Sequence, residues 1–173
     1  MGIDAAWTKN QPSGVALVER HSARWRLVAV AGSYEFFCRG IFGATQADQR
    51  PIGSIPDAAE LLRAAQALSD CPISLVAVDM PLSHQKISGR RCSDNAVSRA
   101  YGARKCGTHS PSKARPGFIS ETLRTEFEQA GYPLCTRDVR LPGLLEVYPH
   151  PALVELANSP ERLPYKVGKV RKY

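Results

Sequence analysis

Hydrophobic and polar positions change period several times along the chain, and each change marks an element. Gly2-Ile3-Asp4-Ala5-Ala6-Trp7 is a short apolar run broken by one acid, the pattern of a buried strand with a charge set into it. Residues 9–14 read as a turn by composition. Val15-Ala16-Leu17-Val18 and Trp25-Arg26-Leu27-Val28-Ala29-Val30 predict two more strands, the second partly alternating, joined tightly through His21-Ser22-Ala23. Three strands with such short connections imply an antiparallel meander.

Residues 34–56 show no clear period and hold turn formers at Gly40, Gly43, Pro51 and Gly53. Helical spacing starts after Pro56-Asp57 and runs over 58–68. Ser74-Leu75-Val76-Ala77-Val78-Asp79 is nearly all apolar and ends in an acid. A strand without polar alternation is covered on both faces, as in parallel pairing. Further on, residues 94–101 predict a short helix and residues 119–128 a longer one, stopped by Gly131 and Pro133. Leu144-Leu145-Glu146-Val147-Tyr148 predicts a fifth strand, closed by a turn at Pro149-His150-Pro151. A last helix follows over 152–157, with Pro151 in its first turn. This succession predicts an α/β fold: a mixed five-stranded sheet, three antiparallel strands and then parallel ones, flanked by helices. It is read as one domain over 1–173 with a basic insertion at 83–116.

Placed in such a sheet, with the first strand central and the fourth parallel beside it, Asp4 and Asp79 become neighbours about 5 Å apart. A carboxylate in a buried strand must be compensated, because desolvating it unpaired is very costly. A divalent cation is one compensation; a salt bridge or backbone hydrogen bonds are others. Hard cations such as Mg2+ or Mn2+ take oxygen ligands, often a few carboxylates with water. Glu146, in the fifth predicted strand, is the candidate third ligand. Singly, Asp4 and Asp79 also read as turn caps and Glu146 as an arginine partner; together they favour the metal. His150 reads either as a general base or phosphate contact or as a residue bonded within its turn.

Charge adds a second theme. The chain carries a formal net charge of +7, concentrated in Arg90, Arg91, Arg99, Arg104, Lys105, Lys113 and Arg115, with more lysine and arginine in the final residues. Such a stretch attracts polyanions, so Arg90, Arg91, Arg104, Lys105, Lys113 and Arg115 are candidate nucleic-acid contacts. A solvated surface or local pairing, as of Arg90 or Arg91 with Asp94, is the plainer reading. The five cysteines form no CxxC pair, which argues against a disulfide framework or zinc ribbon, and Cys92, Cys106 and His109 lack an evident fourth zinc ligand. No apolar run approaches a membrane span, and the N-terminus has no export signal, so a cytoplasmic location without a membrane partner is expected.

Five blocks carry a resemblance: Gly2-Ile3-Asp4-Ala5-Ala6-Trp7, Val78-Asp79-Met80-Pro81-Leu82, Gly89-Arg90-Arg91-Cys92-Ser93-Asp94, Glu146-Val147-Tyr148-Pro149-His150-Pro151 and Arg162-Leu163-Pro164-Tyr165-Lys166. In this order they resemble the predicted RNase H-like nuclease family known as domain of unknown function DUF 429. The resemblance implies an RNase H-like fold, with Asp4 as the first-strand acid, Asp79 as the fourth-strand acid and Glu146 as the glutamate before Tyr-Pro-His-Pro. It implies metal-dependent hydrolysis of phosphodiester bonds in nucleic acid by Asp4, Asp79, Glu146 and His150. One departure stands out: such nucleases carry a last acid on a C-terminal helix, and that helix is missing from this sequence, which reaches Lys172-Tyr173 first. The alternatives are a non-catalytic nucleic-acid-binding module with an incomplete acid set, or a nucleotide phosphohydrolase.

Overall fold

Segments with period two pair as strands and segments with helical spacing wind as helices, and local caps set most boundaries. The computed structural model describes residues 1–46 and 49–164. Its strands are β1 (Gly2–Asp4), β2 (Gly14–His21), β3 (Arg24–Ala31), β4 (Leu75–Val78) and β5 (Gly143–Glu146). Its helices are α1 (Tyr34–Cys38), α2 (Ala58–Leu68), α3 (Cys92–Tyr101), α4 (Phe118–Gln129) and α5 (Pro149–Leu156), with a 3-10 turn at Gly43–Gln46. The described chain divides into two compact units: Met1–Lys86 with Lys113–Val147, and Ile87–Ser112 with residues 148–164. The expected insertion thus falls largely within the second unit.

The first unit is a mixed five-stranded open sheet, in the order β3-β2-β1-β4-β5. β1 pairs antiparallel with β2, and β2 with β3; β4 runs parallel to both β1 and β5. The β2–β3 turn is two residues long, with Ser22 at φ 56, the positive φ that matches tight hairpin twist. A bulge between Leu17 and Val18 interrupts the β2–β3 register.

Pairing register sorts the side chains by face. Ile3, Val15, Leu17, Ala29, Ala31, Val76, Val78 and Leu144 share one face and are buried there with Phe36 and Phe37 of α1, Leu61 and Ala65 of α2, and Leu123 and Phe127 of α4. The helices are anchored at their ends. Ser33 caps α1 by accepting from Phe36 N–H at 3.1 Å, and Asp57 caps α2 by accepting from Glu60 N–H at 2.8 Å. Glu126 on α4 accepts from Ala58 N–H at 3.0 Å, satisfying a second donor at the start of α2. Glu19 points to the buried side of the hairpin and accepts from Arg26 Nη2 at 2.7 Å.

In the second unit, Arg90 holds a strap against α3. Its guanidinium donates to Asn95 Oδ1 at 2.7 Å, Asp94 O at 3.1 Å, Ser110 Oγ at 3.0 Å and Thr108 O at 3.2 Å, and also to the Ser98 hydroxyl. Asp94 closes the first turn of α3 by accepting from Arg91 N–H at 2.9 Å and from Arg91 Nη2 at 2.8 Å. Arg104 pairs with Glu155 on α5, Lys105 with Glu161, and Tyr148 Oη donates to Gly107 O at 3.1 Å.

Several expected boundaries are corrected. β1 stops at Asp4 rather than at Trp7, and β5 stops at Glu146 rather than at Tyr148. α5 begins at Pro149, so His150 lies in a helix and not in a strand-closing turn. Tyr148 adopts extended φ −130 as N-cap, and Pro149 takes the first helical position, where no N–H is required. α1 lies in the segment without a readable period; its five residues are too few to show one. Tyr165, Lys166 and the basic tail lie outside the described residues.

Two measurements check this account. Leu144 on β5 is wholly buried in the first unit's core, and Leu144→Ala should cost about 2–5 kcal/mol, read as a lower urea midpoint with an unchanged slope. Arg26 holds the Glu19 carboxyl at about 2, below its ordinary 4.5. A depressed folded value stabilises above the unfolded one and loses that contribution as pH falls. Tm of the wild type should therefore drop faster than that of Glu19→Gln between pH 4.5 and about 2.

Candidate functional site

The parallel pairing of β1 with β4 determines where the acids go. Ile3 and Val78 are register partners, and the ladder extends one step further through Asp79 N–H, which donates to Ile3 O at 2.8 Å. Asp4 ends β1 and Asp79 immediately follows β4, so both stand one residue beyond that paired row, at the C-terminal edge of adjacent strands. Asp4 is exposed and Asp79 half-buried. The structure thus brings these two candidates together.

Glu146 stands differently. It is the register partner of Val78, level with the row of Ile3 and Val78 and not one step beyond it. Residues side by side in a sheet point to the same face and successive residues to opposite faces. Glu146 therefore shares the side of Ile3 and Val78, while Asp4 takes the other. Its carboxylate Oε2 accepts from Leu82 N–H at 2.9 Å and so ties down the segment that leaves β4 through Met80 and Pro81. Among the described residues, no three His, Cys, Asp or Glu side chains gather into a group that could hold a metal ion.

Tyr34, on α1, belongs to the same unit and was not apparent from the sequence. Its side chain is buried. Burial pushes its phenol up to about 12, with the charge of Asp4 adding to the rise and Ser13 opposing it. The phenol thus keeps its proton across the physiological range and is available as a donor near the Asp4 carboxylate. The readable signal was Ser33 as a helix cap, followed by Tyr34, Phe36 and Phe37. Ser13, also buried, accepts from Ala6 N–H at 3.0 Å and closes the chain just after β1.

The remaining candidates lie apart in the chain's organisation. Lys113 and Arg115 belong to the first unit, before α4, and both are exposed. Arg90, Arg91, Arg104, Lys105 and His150 belong to the second unit. There the four cations hold the internal bonds described above. His150 is buried, with its ring edge-on to Tyr148 at 5.3 Å between centroids. Cys106 is wholly buried and Cys92 exposed. No helix among the described residues is long and apolar enough to cross a membrane.

Fold and acids together define the class: a mixed α/β sheet protein with two aspartates in register at the C-terminal edge of its central strands. The chain belongs to the family described as Protein of unknown function (DUF429), which it matches over residues 2–172. No curated protein and no solved structure matches it.

The two kinds of acid should separate in a stability measurement. Glu146→Ala removes a charge-assisted hydrogen bond, a loss of about 1.5–3 kcal/mol, and should lower Tm. Asp4→Asn, at an exposed position, should stay within about 0.5 kcal/mol of the wild type. Equal losses in both variants would contradict the division of roles.

Proposed function

We propose that this chain is an RNase H-like, metal-dependent nuclease that hydrolyses phosphodiester bonds in nucleic acid, with Asp4 and Asp79 as its central carboxylates. The observation that carries the reading is their placement: one residue beyond a paired row, on adjacent parallel strands at the middle of the sheet. A first strand at the centre with the fourth parallel beside it is also the arrangement that an RNase H-like chain requires of its first- and fourth-strand acids.

The donor set suits a divalent cation of a particular kind. Magnesium is commonly held by one or two carboxylates, with water and substrate phosphate completing the shell, rather than by a cage of protein ligands. Two aspartates, with no third convergent acid among the described residues, match that mode. A cation so held supplies Lewis-acid stabilisation of phosphoryl oxygen and makes water more acidic. The protein's own residues do the rest. Asp4 and Asp79 provide fixed negative charge on a rigid sheet edge. Glu146 positions the chain leaving β4 by accepting from Leu82 N–H. Tyr34 holds a proton near Asp4. No step is assigned to His150, whose ring is buried.

A second reading, a nucleotide phosphohydrolase, is favoured by one observation: Arg90, Arg91, Arg104 and Lys105 are paired within the second unit. Cations committed in this way contribute less to gripping a long polyanion. Binding of a polynucleotide falls steeply with salt, whereas binding of a mononucleotide does not, so the salt slope separates the two readings.

Cleavage of labelled single-stranded, double-stranded and hybrid substrates with Mn2+ tests the proposal. Asp4→Asn and Asp79→Asn should each lower the rate by at least about 100-fold, beyond the 10–100-fold typical of losing an outer-shell partner. Full cutting by both variants, or cutting undiminished by chelator, would overturn it.

A further inference from the structure

The β2–β3 hairpin carries an apolar and cationic surface that the sheet's own packing does not use. Cross-strand pairing aligns Ala16 with Val30, Val18 with Leu27 and Arg20 with Trp25 on one face. On that face Trp25 is 69% exposed, Leu27 60%, Val30 46% and Val18 44%. Water-facing tryptophan at that level is unusual, since the residue is highly buried on average. Here the indole is also oriented: the Arg20 guanidinium lies over its ring, 5.9 Å from the centroid, within cation–π range.

The hairpin's own exposed charge has one sign: Arg20 stands on the Trp25 face, and Arg24 and Arg26 alternate to the other. Arg20, Arg24 and Arg26 are all exposed, and His21 stands opposite Arg24. The one carboxylate of the hairpin, Glu19, is buried and already paired with Arg26 and His21. No exposed acid of the hairpin therefore opposes an incoming phosphate. β3 is an edge strand of the sheet, so the surface ends at solvent and not at another strand.

We infer that this hairpin is a docking surface for single-stranded nucleic acid, with Trp25 stacking an unpaired base and Arg20, on the same face, meeting one backbone phosphate. Arg24, beside the turn on the other face, meets a phosphate where the strand passes the hairpin tip. A flat aromatic platform flanked by cations suits bases that are not already paired, because every base offers a π-face and the neighbouring phosphates need neutralising. Val18, Leu27 and Val30 extend the platform as an apolar shelf for a second base. Tryptophan and arginine also favour protein partners; the hairpin's own exposed charge is cationic, with Glu19 buried, and favours the polyanion. The occupant rests on the nucleic-acid reading above; Asp4, the register partner of Gly14, emerges on this same face of the sheet, and the hairpin itself binds without catalysis.

The test is fluorescence anisotropy of labelled oligo-dT and oligo-rU of about 20 nucleotides, long enough to exceed a single binding platform, on the full chain with chelator present so that nothing is cut. Trp25→Ala should weaken binding roughly 5- to 150-fold, the range for losing one base–aromatic stack, and Trp25→Phe should recover most of it. Arg20→Gln with Arg24→Gln should flatten the slope of log affinity against log salt by about 1.4, near 0.7 for each single-strand phosphate that is no longer neutralised. All three positions are exposed, and unchanged circular dichroism would show that the variants fold. Tight binding by the wild type that is unaltered in Trp25→Ala and in the double arginine variant would overturn the hairpin while leaving the nuclease reading intact. No binding by the wild type at low salt would overturn both. Self-association of the wild type, abolished by Trp25→Ala with no effect on oligonucleotide binding, would make the face a contact between copies of this chain and likewise overturn the proposal.

Discussion

The parallel pairing of β1 with β4 is the constraint on which the rest of the first unit depends. β1 is only three residues long, yet it sits at the centre of the sheet, joining the antiparallel hairpin on one side to the parallel strands on the other. Hydrogen bonds from Ala77 N–H to Met1 O at 2.9 Å and from Asp79 N–H to Ile3 O at 2.8 Å set its register. A shift by one residue would turn Ile3 out of the core and Asp4 into it. Burial of Ile3 and Val78 therefore does two things with one register: it closes the core and delivers both aspartates to the same edge.

The same logic explains why chemically similar acids have dissimilar surroundings. Asp4 and Asp79 follow the buried row and reach the sheet edge. Glu146 falls within that row and answers a backbone N–H instead. Its longer side chain can reach Leu82, and the bond removes an unsatisfied donor from a segment whose neighbours Met80, Pro81 and Leu82 are buried. Arginines divide in a similar way. Arg90 resembles a phosphate ligand by type and by its place after Gly89, but five partners hold its guanidinium within its own unit. Arg20 and Arg24, on a hairpin with few acids, stay at the surface.

Much of the architecture was legible in the residues. The alternation along 25–30, the apolar run of 74–79 and the helical spacing of 58–68 each show a period that packing then uses. Their faces follow from one-sided burial, which leaves the same mark in sequence and in structure. The pair Asp4 and Asp79 was legible for that reason, since an acid at the end of an apolar run stands out. What was not legible had short range or low contrast. α1 is shorter than two helical turns, Tyr34 gains its setting from the fold around Asp4 and Ser13, and the start of α5 turns on Tyr148 as an N-cap, which its side chain does not advertise.

Sequence by itself determined the element types, the α/β class and the two strand-end aspartates, because periodicity and the cost of burying a carboxylate are local properties of the chain. Tertiary structure alone decided that Glu146 faces away from Asp4, that Arg90 and Arg104 are spent on internal bonds, and that Trp25 stands in water beside Arg20. Those outcomes depend on register between strands and on partners distant in sequence, and a one-residue difference in register reverses the face on which a side chain emerges.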